Sequence, residues 1–304
     1  MQLLFCGSGW PEVPALLARR LGPDHHLRTW DRRRPLVDEL AAAPVDVLLP
    51  SNAPVDAAVL AAAAAGGLRL VQQPAAGTDG IDLAAARAHG VPVCNAPGAN
   101  QVAVAEAALL LLLLCARRWP EARAAFAAGV IGSPPGTELA GATLLVVGPG
   151  RTGGALVERA RALGMVVRTA GSRTTRAELL AELARADAVC LSCPLSPATR
   201  GLLDARALAT LPAHALVVNV ARGAVIDRDA LVAALDRGHL GGVGLDVFWE
   251  EPWDPADPLF AHPRVVTLPH VAGSTTQAFD RIADIVVDNV GRLQRGEALR
   301  HRIA

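Results

Sequence analysis

Lysine and tyrosine are absent from the sequence, and aromatic residues make up only 3% of the chain. We attribute these absences to codon bias rather than to function. An excess of charge is also missing, because 29 basic residues balance 29 acidic residues. A chain without net charge has no long-range field that would draw it to nucleic acid or to an anionic membrane. We therefore expect a small-molecule partner, with neither nucleic acid nor membrane bound.

Long apolar runs and secretion signals are lacking as well. The longest apolar run, from Val102 to Ala116, is interrupted by Glu106 and is shorter than the ~20 residues that span a bilayer. We interpret this run as a buried helix. The N-terminal sequence MQLLFCGSGW has neither a basic segment before an apolar core nor a small-residue cleavage pattern. These features predict a cytoplasmic protein.

The cysteines do not form a disulfide framework, because the five of them are odd in number and irregularly spaced. Cys190 and Cys193 do form a C-x-x-C pair, which could be a redox pair or half of a zinc site. However, the segment DAVCLSCP has the pattern of a strand, where residues three apart point to opposite faces, and no second pair of metal ligands lies nearby. We predict structural thiols and no metal.

What the sequence does contain is the pattern of a two-domain α/β protein. Its 304 residues, 52% of them hydrophobic, suffice for two cores. Short apolar runs alternate with alanine-rich helical stretches over the first ~95 residues, which is typical of parallel β and α units. The candidate strands there are 3–6, 45–49, 68–72 and 91–94. A long helix begins near Asn100, and a second series of about six strands begins at Ala142.

The fold predicted from this order has two Rossmann-like domains, each with a doubly wound parallel sheet, and a cleft between them. The last helix, about 276–295, lies beyond the second series, so we expect it to fold back on the first domain. The predicted domains are a flavodoxin-like domain, 1–96 plus 276–304, and a Rossmann domain, 97–275.

A glycine motif marks the expected cofactor site. Gly148, Gly150 and Gly153 form G-x-G-x-x-G directly between a strand and a helix, the context in which this motif binds dinucleotides. The glycines permit a tight turn, close approach of a pyrophosphate and close packing of helix on strand, and the helix N-terminus, with Arg151 and Thr152, favours the anion. The alternative is a glycine-rich turn without a ligand.

The loop after the second strand of this unit, AGSRTTR, bears on the choice between NAD and NADP. Gly171 stands where an NAD-specific site would place a carboxylate for the ribose hydroxyls. Ser172, Arg173 and Thr174, together with Arg176, offer donors and positive charge to a 2′-phosphate. We therefore favour NADP(H), with NAD(H) possible. The alternative is an exposed polar loop with a chance arginine.

Five separated segments, AAGTDGID, NAPGANQVAVAE, NVARGAVID, GLDVFWEEP and LPHVAGST, occur in the order and spacing of a known family. In these motifs the chain resembles the D-2-hydroxyacid dehydrogenases (D-isomer-specific), and particularly glyoxylate/hydroxypyruvate reductase-like members. The resemblance implies hydride transfer between NAD(P)H and a small 2-oxo or 2-hydroxy acid. It also implies that the catalytic residues are Arg222, Glu251 and His270.

The chemistry explains these residue types. The guanidinium of Arg222 can hold the carboxylate of a 2-oxo acid and polarise the neighbouring carbonyl. His270 can give a proton to the carbonyl oxygen and take it back in the reverse direction. Glu251, bonded to the other ring nitrogen, would fix the tautomer and raise the pKa of His270. Taken singly, each has a structural alternative: a turn-capping arginine, an exposed loop glutamate and a structural histidine.

Further roles follow from the same resemblance. Backbone N–H groups at Ala76 and Gly77 would bind the substrate carboxylate, and Asp246 would contact the nicotinamide carboxamide. Three more residues would line the cofactor: Pro194, Val220 and Gly273.

The sequence departs from the family at Ile131, where a tryptophan is common, and at Ser192, where histidine is common. The departures leave the substrate open. The long apolar helix and the resemblance imply a homodimer. Two other functions stay open: a dinucleotide-sensing protein resembling transcriptional co-repressors, and a dehydrogenase of another oxyanion such as phosphite. Both predict little turnover of 2-oxo acids.

Overall fold

The computed structural model describes all 304 residues, which form two compact units. Met1–Asn100 and Ser274–Ala304 make the first unit, and Gln101–Gly273 makes the second. The chain thus passes from the first unit to the second after Asn100 and returns to the first after Gly273. The sequence predicted these two domain boundaries at 96/97 and 275/276. The first unit is discontinuous in sequence.

The first unit is built on a parallel sheet of five strands in the order β2-β1-β3-β4-β5. Its strands are β1 (Gln2–Phe5), β2 (His26–Thr29), β3 (Val47–Leu49), β4 (Leu70–Gln72) and β5 (Val93–Cys94). The helices between them are α1 (Glu12–Leu21), α2 (Leu36–Ala42), α3 (Ala57–Ala65) and α4 (Leu83–Ala88). The sequence predicted all of these strands except β2. That strand is at the edge of the sheet, its residues HLRT are exposed or half-buried, and it therefore has no apolar run.

The second unit is built on a parallel sheet of six strands, as the sequence predicted, in the order β11-β10-β9-β8-β6-β7. Its strands are β6 (Thr143–Val147), β7 (Val166–Ala170), β8 (Ala188–Leu191), β9 (Leu216–Asn219), β10 (Gly242–Leu245) and β11 (Val265–Thr267). Its helices are α5 (Gln101–Ala116), α6 (Trp119–Ala127), α7 (Arg151–Ala162), α8 (Arg176–Leu183), α9 (Ala205–Thr210), α10 (Arg228–Asp236) and α11 (Pro258–Ala261).

Both sheets reverse their strand order next to the first strand of the unit, between β1 and β3 and between β6 and β8. In doubly wound folds such a switch point opens a crevice at the carboxyl ends of the strands, and ligands bind there. The fold therefore directs attention to the loops that follow β6 and β8.

The long helix α5 is packed against β10 through two glycines. A Cβ on Gly242 would lie 3.0 Å from Cys115 Cβ, and a Cβ on Gly244 would lie 2.9 Å from Leu111 Cβ. This close approach explains the segment GVGLDV, in which alternate strand residues lack side chains. No helix of the chain is both long and apolar enough to cross a membrane.

The predicted last helix is present as α12 (Thr276–Arg295) and belongs to the first unit, as the sequence indicated. Its buried Asn289 donates from Nδ2 to Gln72 Oε1 of β4 over 2.6 Å. After α12 the chain reaches β5, where Ile303 N donates to Val93 O over 2.8 Å. The segment from α12 onward therefore contributes to the core and covers one edge of this sheet.

The C-x-x-C pair is placed as the strand pattern predicts. Cys190 lies in β8 and Cys193 follows that strand, and the two thiols are buried in different hydrophobic clusters. Burial raises the pKa of Cys190 to about 12. Both residues therefore act as packing groups.

Candidate active site

The glycine motif forms a turn that cannot accept side chains at two of its positions. Gly148, directly after β6, has a φ of +92°, and a Cβ there would lie 2.5 Å from Cys193 N. A Cβ on Gly153 would overlap the carbonyl oxygen of Gly148. A Cβ on Gly150 would meet nothing within 4 Å, so this glycine borders open space at the start of α7.

Ser192 holds this turn in place, a role that sequence analysis missed. Its hydroxyl donates to Gly148 O over 2.9 Å, and its backbone N–H donates to Val147 O over 2.9 Å. A Cβ on Gly153 would also lie 2.8 Å from Ser192 Oγ. The small side chain that departs from the family pattern is thus part of the turn itself.

The N-terminus of α7 faces the same open space. Its first residues are Arg151, which is exposed, and Thr152, which is half-buried. The first N–H groups of a helix lack intrahelical partners and, with the helix dipole, favour an anion. The five predicted residues of the motif therefore lie together and fit the pyrophosphate of a dinucleotide. They are Gly148, Gly150, Arg151, Thr152 and Gly153.

The loop after β7 is closed by hydrogen bonds between Gly171 and Thr174, one of which involves the threonine side chain. Gly171 N donates to Thr174 Oγ1 over 3.0 Å, while Ser172 and Arg173 are exposed and the side chain of Arg173 has no partner. Arg176 does not contribute as the sequence suggested. Its guanidinium donates to Asp204 Oδ1 over 2.6 Å and to a backbone carbonyl, so it is already occupied.

Two of the predicted cofactor-lining residues follow neighbouring strands at their carboxyl ends. Pro194 comes after β8, and its carbonyl accepts from Thr199 Oγ1 over 2.7 Å. Val220 comes after β9, and its N–H donates to Leu191 O over 3.2 Å. Gly273, the third, is the last residue of the second unit.

A histidine and a glutamate form the central pair of the site. His270 Nδ1 and Glu251 Oε2 are 2.6 Å apart, and Glu251 Oε1 accepts from Phe248 N over 3.1 Å. The His270 side chain is 41% exposed. Because Nδ1 is engaged by the carboxylate, Nε2 is the ring nitrogen left to meet another molecule. His270 also has a φ of +53°, which is uncommon for a residue with a Cβ.

The two charges stabilise each other. Burial alone would lower the pKa of His270, but the hydrogen bond and the negative charge of Glu251 outweigh burial and raise the pKa above its ordinary value. Burial alone would raise the pKa of Glu251, but the hydrogen bond and charge of His270 lower it. The imidazolium form is therefore favoured.

Asp246, at the end of β10, anchors the segment that follows His270. Its carboxylate is buried and accepts from Val271 N over 2.8 Å and from Ala272 N over 3.1 Å. Burial raises its pKa to about 6. The sequence predicted that Asp246 contacts the nicotinamide carboxamide, and that role stays a prediction. What the structure adds is a restraint on the backbone next to His270.

Arg222 lies between β9 and a short 3-10 turn, Gly223–Val225. The buried Asn219 fixes this loop, because its Nδ2 donates to Arg222 O over 2.9 Å and its Oδ1 accepts from Ala221 N over 3.0 Å. The positive charge of Arg222 lowers the pKa of both His270 and Glu251. The second unit thus brings all three predicted catalytic residues into one electrostatic neighbourhood.

The residues predicted to bind the substrate carboxylate lie in the first unit, in the loop after β4. The Ala76 carbonyl accepts from Asn95 Nδ2 over 2.8 Å, and the Gly77 carbonyl accepts from Gln73 Nε2 over 2.9 Å. Within this unit the N–H groups of Ala76 and Gly77 have no acceptor. They match the donors that a carboxylate requires.

Comparisons with known proteins identify the family and the fold of the chain. The family model described as D-isomer specific 2-hydroxyacid dehydrogenase, NAD binding domain, matches residues 109–272. A crystal structure of a Thermus thermophilus protein superposes with a TM-score of 0.88 at 32% identity and covers 100% of both chains. This fold match extends over both units.

Several curated relatives are 40% identical to the chain, and two of them illustrate the range of activities. One is D-3-phosphoglycerate dehydrogenase from Mycobacterium tuberculosis, aligned over 272 residues that make up 85% of this chain and 51% of that protein. The other is (S)-sulfolactate dehydrogenase from Chromohalobacter salexigens, aligned over 248 residues that make up 74% of this chain and 77% of that protein. The chain spans about half the length of the phosphoglycerate dehydrogenases that it matches. With its family model, fold and nicotinamide dinucleotide-binding unit, the chain belongs to the D-isomer specific 2-hydroxyacid dehydrogenase family.

Proposed function

We propose that the protein is an oxidoreductase that interconverts a small 2-oxo acid and the corresponding D-2-hydroxy acid, with a nicotinamide dinucleotide as co-substrate. The observation that carries this proposal is the His270–Glu251 hydrogen bond of 2.6 Å, which lies in the same unit as the glycine turn. The dinucleotide supplies or accepts the hydride when it is bound. The residues of the chain provide orientation and proton transfer.

His270 acts as the acid in reduction. Its Nε2 donates a proton to the carbonyl oxygen of the 2-oxo acid and recovers it from the hydroxyl in the reverse direction. Glu251 keeps the ring in the required orientation and favours the protonated form. Arg222 holds the carboxylate of the 2-oxo acid through its planar guanidinium.

Removing the acid tests this assignment. We expect His270→Ala to lower kcat for glyoxylate or hydroxypyruvate by at least ~100-fold, because acid catalysis is lost, while the Kd for the dinucleotide changes little. Arg222→Lys should also be severe, since an ammonium cannot make the bidentate contact. His89→Ala, on the exposed end of α4, is the control and should turn over normally. Unchanged turnover in His270→Ala would exclude this mechanism.

The pH dependence tests the role of Glu251. Because the raised pKa keeps His270 protonated to higher pH, kcat/KM for reduction should fall only as the pH rises through that raised pKa. In Glu251→Gln the pKa of His270 falls, so the alkaline limb should move to lower pH. Glu250→Gln, which changes the exposed neighbouring residue, is the control. If both variants keep the wild-type limb, Glu251 does not set the protonation of His270.

NADPH is the preferred dinucleotide in our proposal. Three features of the loop after β7 support it: no carboxylate occupies position 171, Arg173 is exposed and unpaired, and Ser172 adds a hydroxyl. An arginine contact with a 2′-phosphate contributes about 1.5–3 kcal/mol, or roughly ten- to a hundredfold in affinity.

Arg173→Ala should therefore raise the KM for NADPH by about that factor and leave the KM for NADH nearly unchanged. Gly171→Asp should favour NADH, and a side chain fits there, since the added Cβ would lie 3.5 Å from Pro149 Cδ. The measurement is kcat/KM for both dinucleotides in wild type and each variant, with the exposed Arg185→Ala as control. A wild type that prefers NADH, with both dinucleotides weakened equally by Arg173→Ala, would exclude the NADPH preference alone.

We also propose that the protein is a homodimer formed through the second unit. Six of the ten large apolar residues that are exposed lie between positions 110 and 131, on α5, α6 and the segment that follows. Phe126 is 88% exposed and Ile131 is 97% exposed. Apolar exposure concentrated in this way marks an association surface, and a twofold dimer is the commonest way to bury it.

The double variant Phe126→Asp, Ile131→Asp should convert a dimer to a monomer in light scattering at micromolar concentration, because it places negative charge on the surface that dimerisation would bury. Leu163→Asp, at the C-terminal end of α7 and 41% exposed, is the control and should stay dimeric. A monomeric wild type would contradict this part of the proposal.

A further inference from the structure

Trp249 makes a contact that neither the family motif nor the proposed mechanism assigns. It follows β10 and lies two residues before Glu251, and its indole Nε1 donates to Ile226 O over 2.7 Å. Its ring is partly buried against the hydrophobic core of the second unit. The hydrogen bond joins two segments that are 23 residues apart in sequence.

The same two segments touch at a second place. A Cβ on Gly223 would overlap the carbonyl group of Phe248 and the backbone nitrogen of Trp249. The backbone after Arg222 therefore lies directly against the backbone that leads to Glu251. The close backbone contact and the indole hydrogen bond together hold the two segments against each other, and we call this pair of contacts the brace.

The brace is connected to Arg222 on one side. Val225 N donates to Arg222 O over 3.1 Å, and Ile226 N donates to Gly223 O over 3.0 Å. Ile226, which accepts the indole hydrogen bond, thus belongs to the turn that begins at Arg222. Its side chain is buried, so the carbonyl that accepts from Trp249 has a fixed position.

The brace is connected to Glu251 on the other side. Phe248, the residue before Trp249, donates its N–H to Glu251 Oε1 over 3.1 Å. Glu251 Oε2 in turn meets His270 Nδ1. Contacts therefore run without interruption from the Arg222 turn through Trp249 and Phe248 to the histidine.

We propose that Trp249 is a positioning residue that fixes the Arg222 turn relative to the Glu251–His270 pair. The proposal rests on the proposed function, in which Arg222 holds the carboxylate and His270 protonates the adjacent carbonyl. Those two groups belong to one small substrate, so the two protein groups must keep a fixed separation. A displacement of about 1 Å in such a site can cost on the order of 100-fold in rate.

Trp253 provides a matched comparison. It lies two residues beyond Glu251, and its ring packs on Phe248 with the centroids 4.3 Å apart. It is partly buried in the same cluster, but its indole nitrogen has no hydrogen bond. A loss of packing alone would affect both tryptophans, whereas a loss of the brace would affect only Trp249.

The experiment compares Trp249→Phe with Trp253→Phe. For Trp249→Phe we expect kcat/KM for glyoxylate to fall about tenfold, mainly through a higher KM. The pKa of His270, followed by NMR titration of its imidazole, should shift downward, and the Kd for the dinucleotide should stay within about twofold. Trp253→Phe should keep the wild-type KM and the wild-type histidine titration, even if its Tm falls.

A second variant removes only the donor. Replacing Trp249 by β-(3-benzothienyl)alanine puts sulfur in place of the indole N–H at nearly constant shape, and it should reproduce the effects of Trp249→Phe. If it behaves as wild type, or if Trp249→Phe changes only the Tm, the positioning role is wrong. A wild type that turns over no 2-oxo acid would overturn the proposed function, while the histidine titration would still decide whether Trp249 positions the pair.

Discussion

The second unit depends on backbone segments that approach more closely than side chains would permit. Gly148 and Gly153 allow the turn between β6 and α7, and Gly223 lies against the segment after β10. Gly242 and Gly244 allow α5 to pack on the sheet. These glycines bring loops from different strand ends into direct contact. The glycine turn and the His270–Glu251 pair are built on this scaffold, so their positions are set by main-chain packing rather than by flexible side chains.

Within that scaffold, electrostatics assign the roles of the acidic residues. Glu251 and Asp246 are both partly or fully buried and close to His270, yet their pKa values move in opposite directions. Glu251 has a cationic partner and stays ionised. Asp246 accepts mainly from neutral backbone N–H groups, and burial raises its pKa to about 6. The Glu251 carboxylate therefore stabilises the protonated form of His270, whereas the Asp246 carboxylate fixes the backbone that follows His270.

Sequence reasoning succeeded where residue type and spacing carry the information. The six strands of the second unit, the last helix and the glycine motif have clear periodicity or punctuation, and His270 and Glu251 stand in a family motif. It failed where a contact depends on geometry: β2 has no apolar run, Arg176 is taken by Asp204, and the indole of Trp249 meets a backbone carbonyl far away in sequence. Every residue carries a backbone carbonyl, so no sequence pattern indicates which carbonyl accepts a hydrogen bond from the indole.

The position of α12 has a consequence for biosynthesis. The core of the first unit includes Ile282, Val286 and Val290 of that helix, packed with Leu3 and Phe5 of the first strand. The ribosome makes these two sets of residues far apart in time. Nascent chains form domains as their residues emerge, so the second unit, whose residues are contiguous, can complete its core before α12 has been synthesised. The core of the first unit is completed only when α12 can pack on β1.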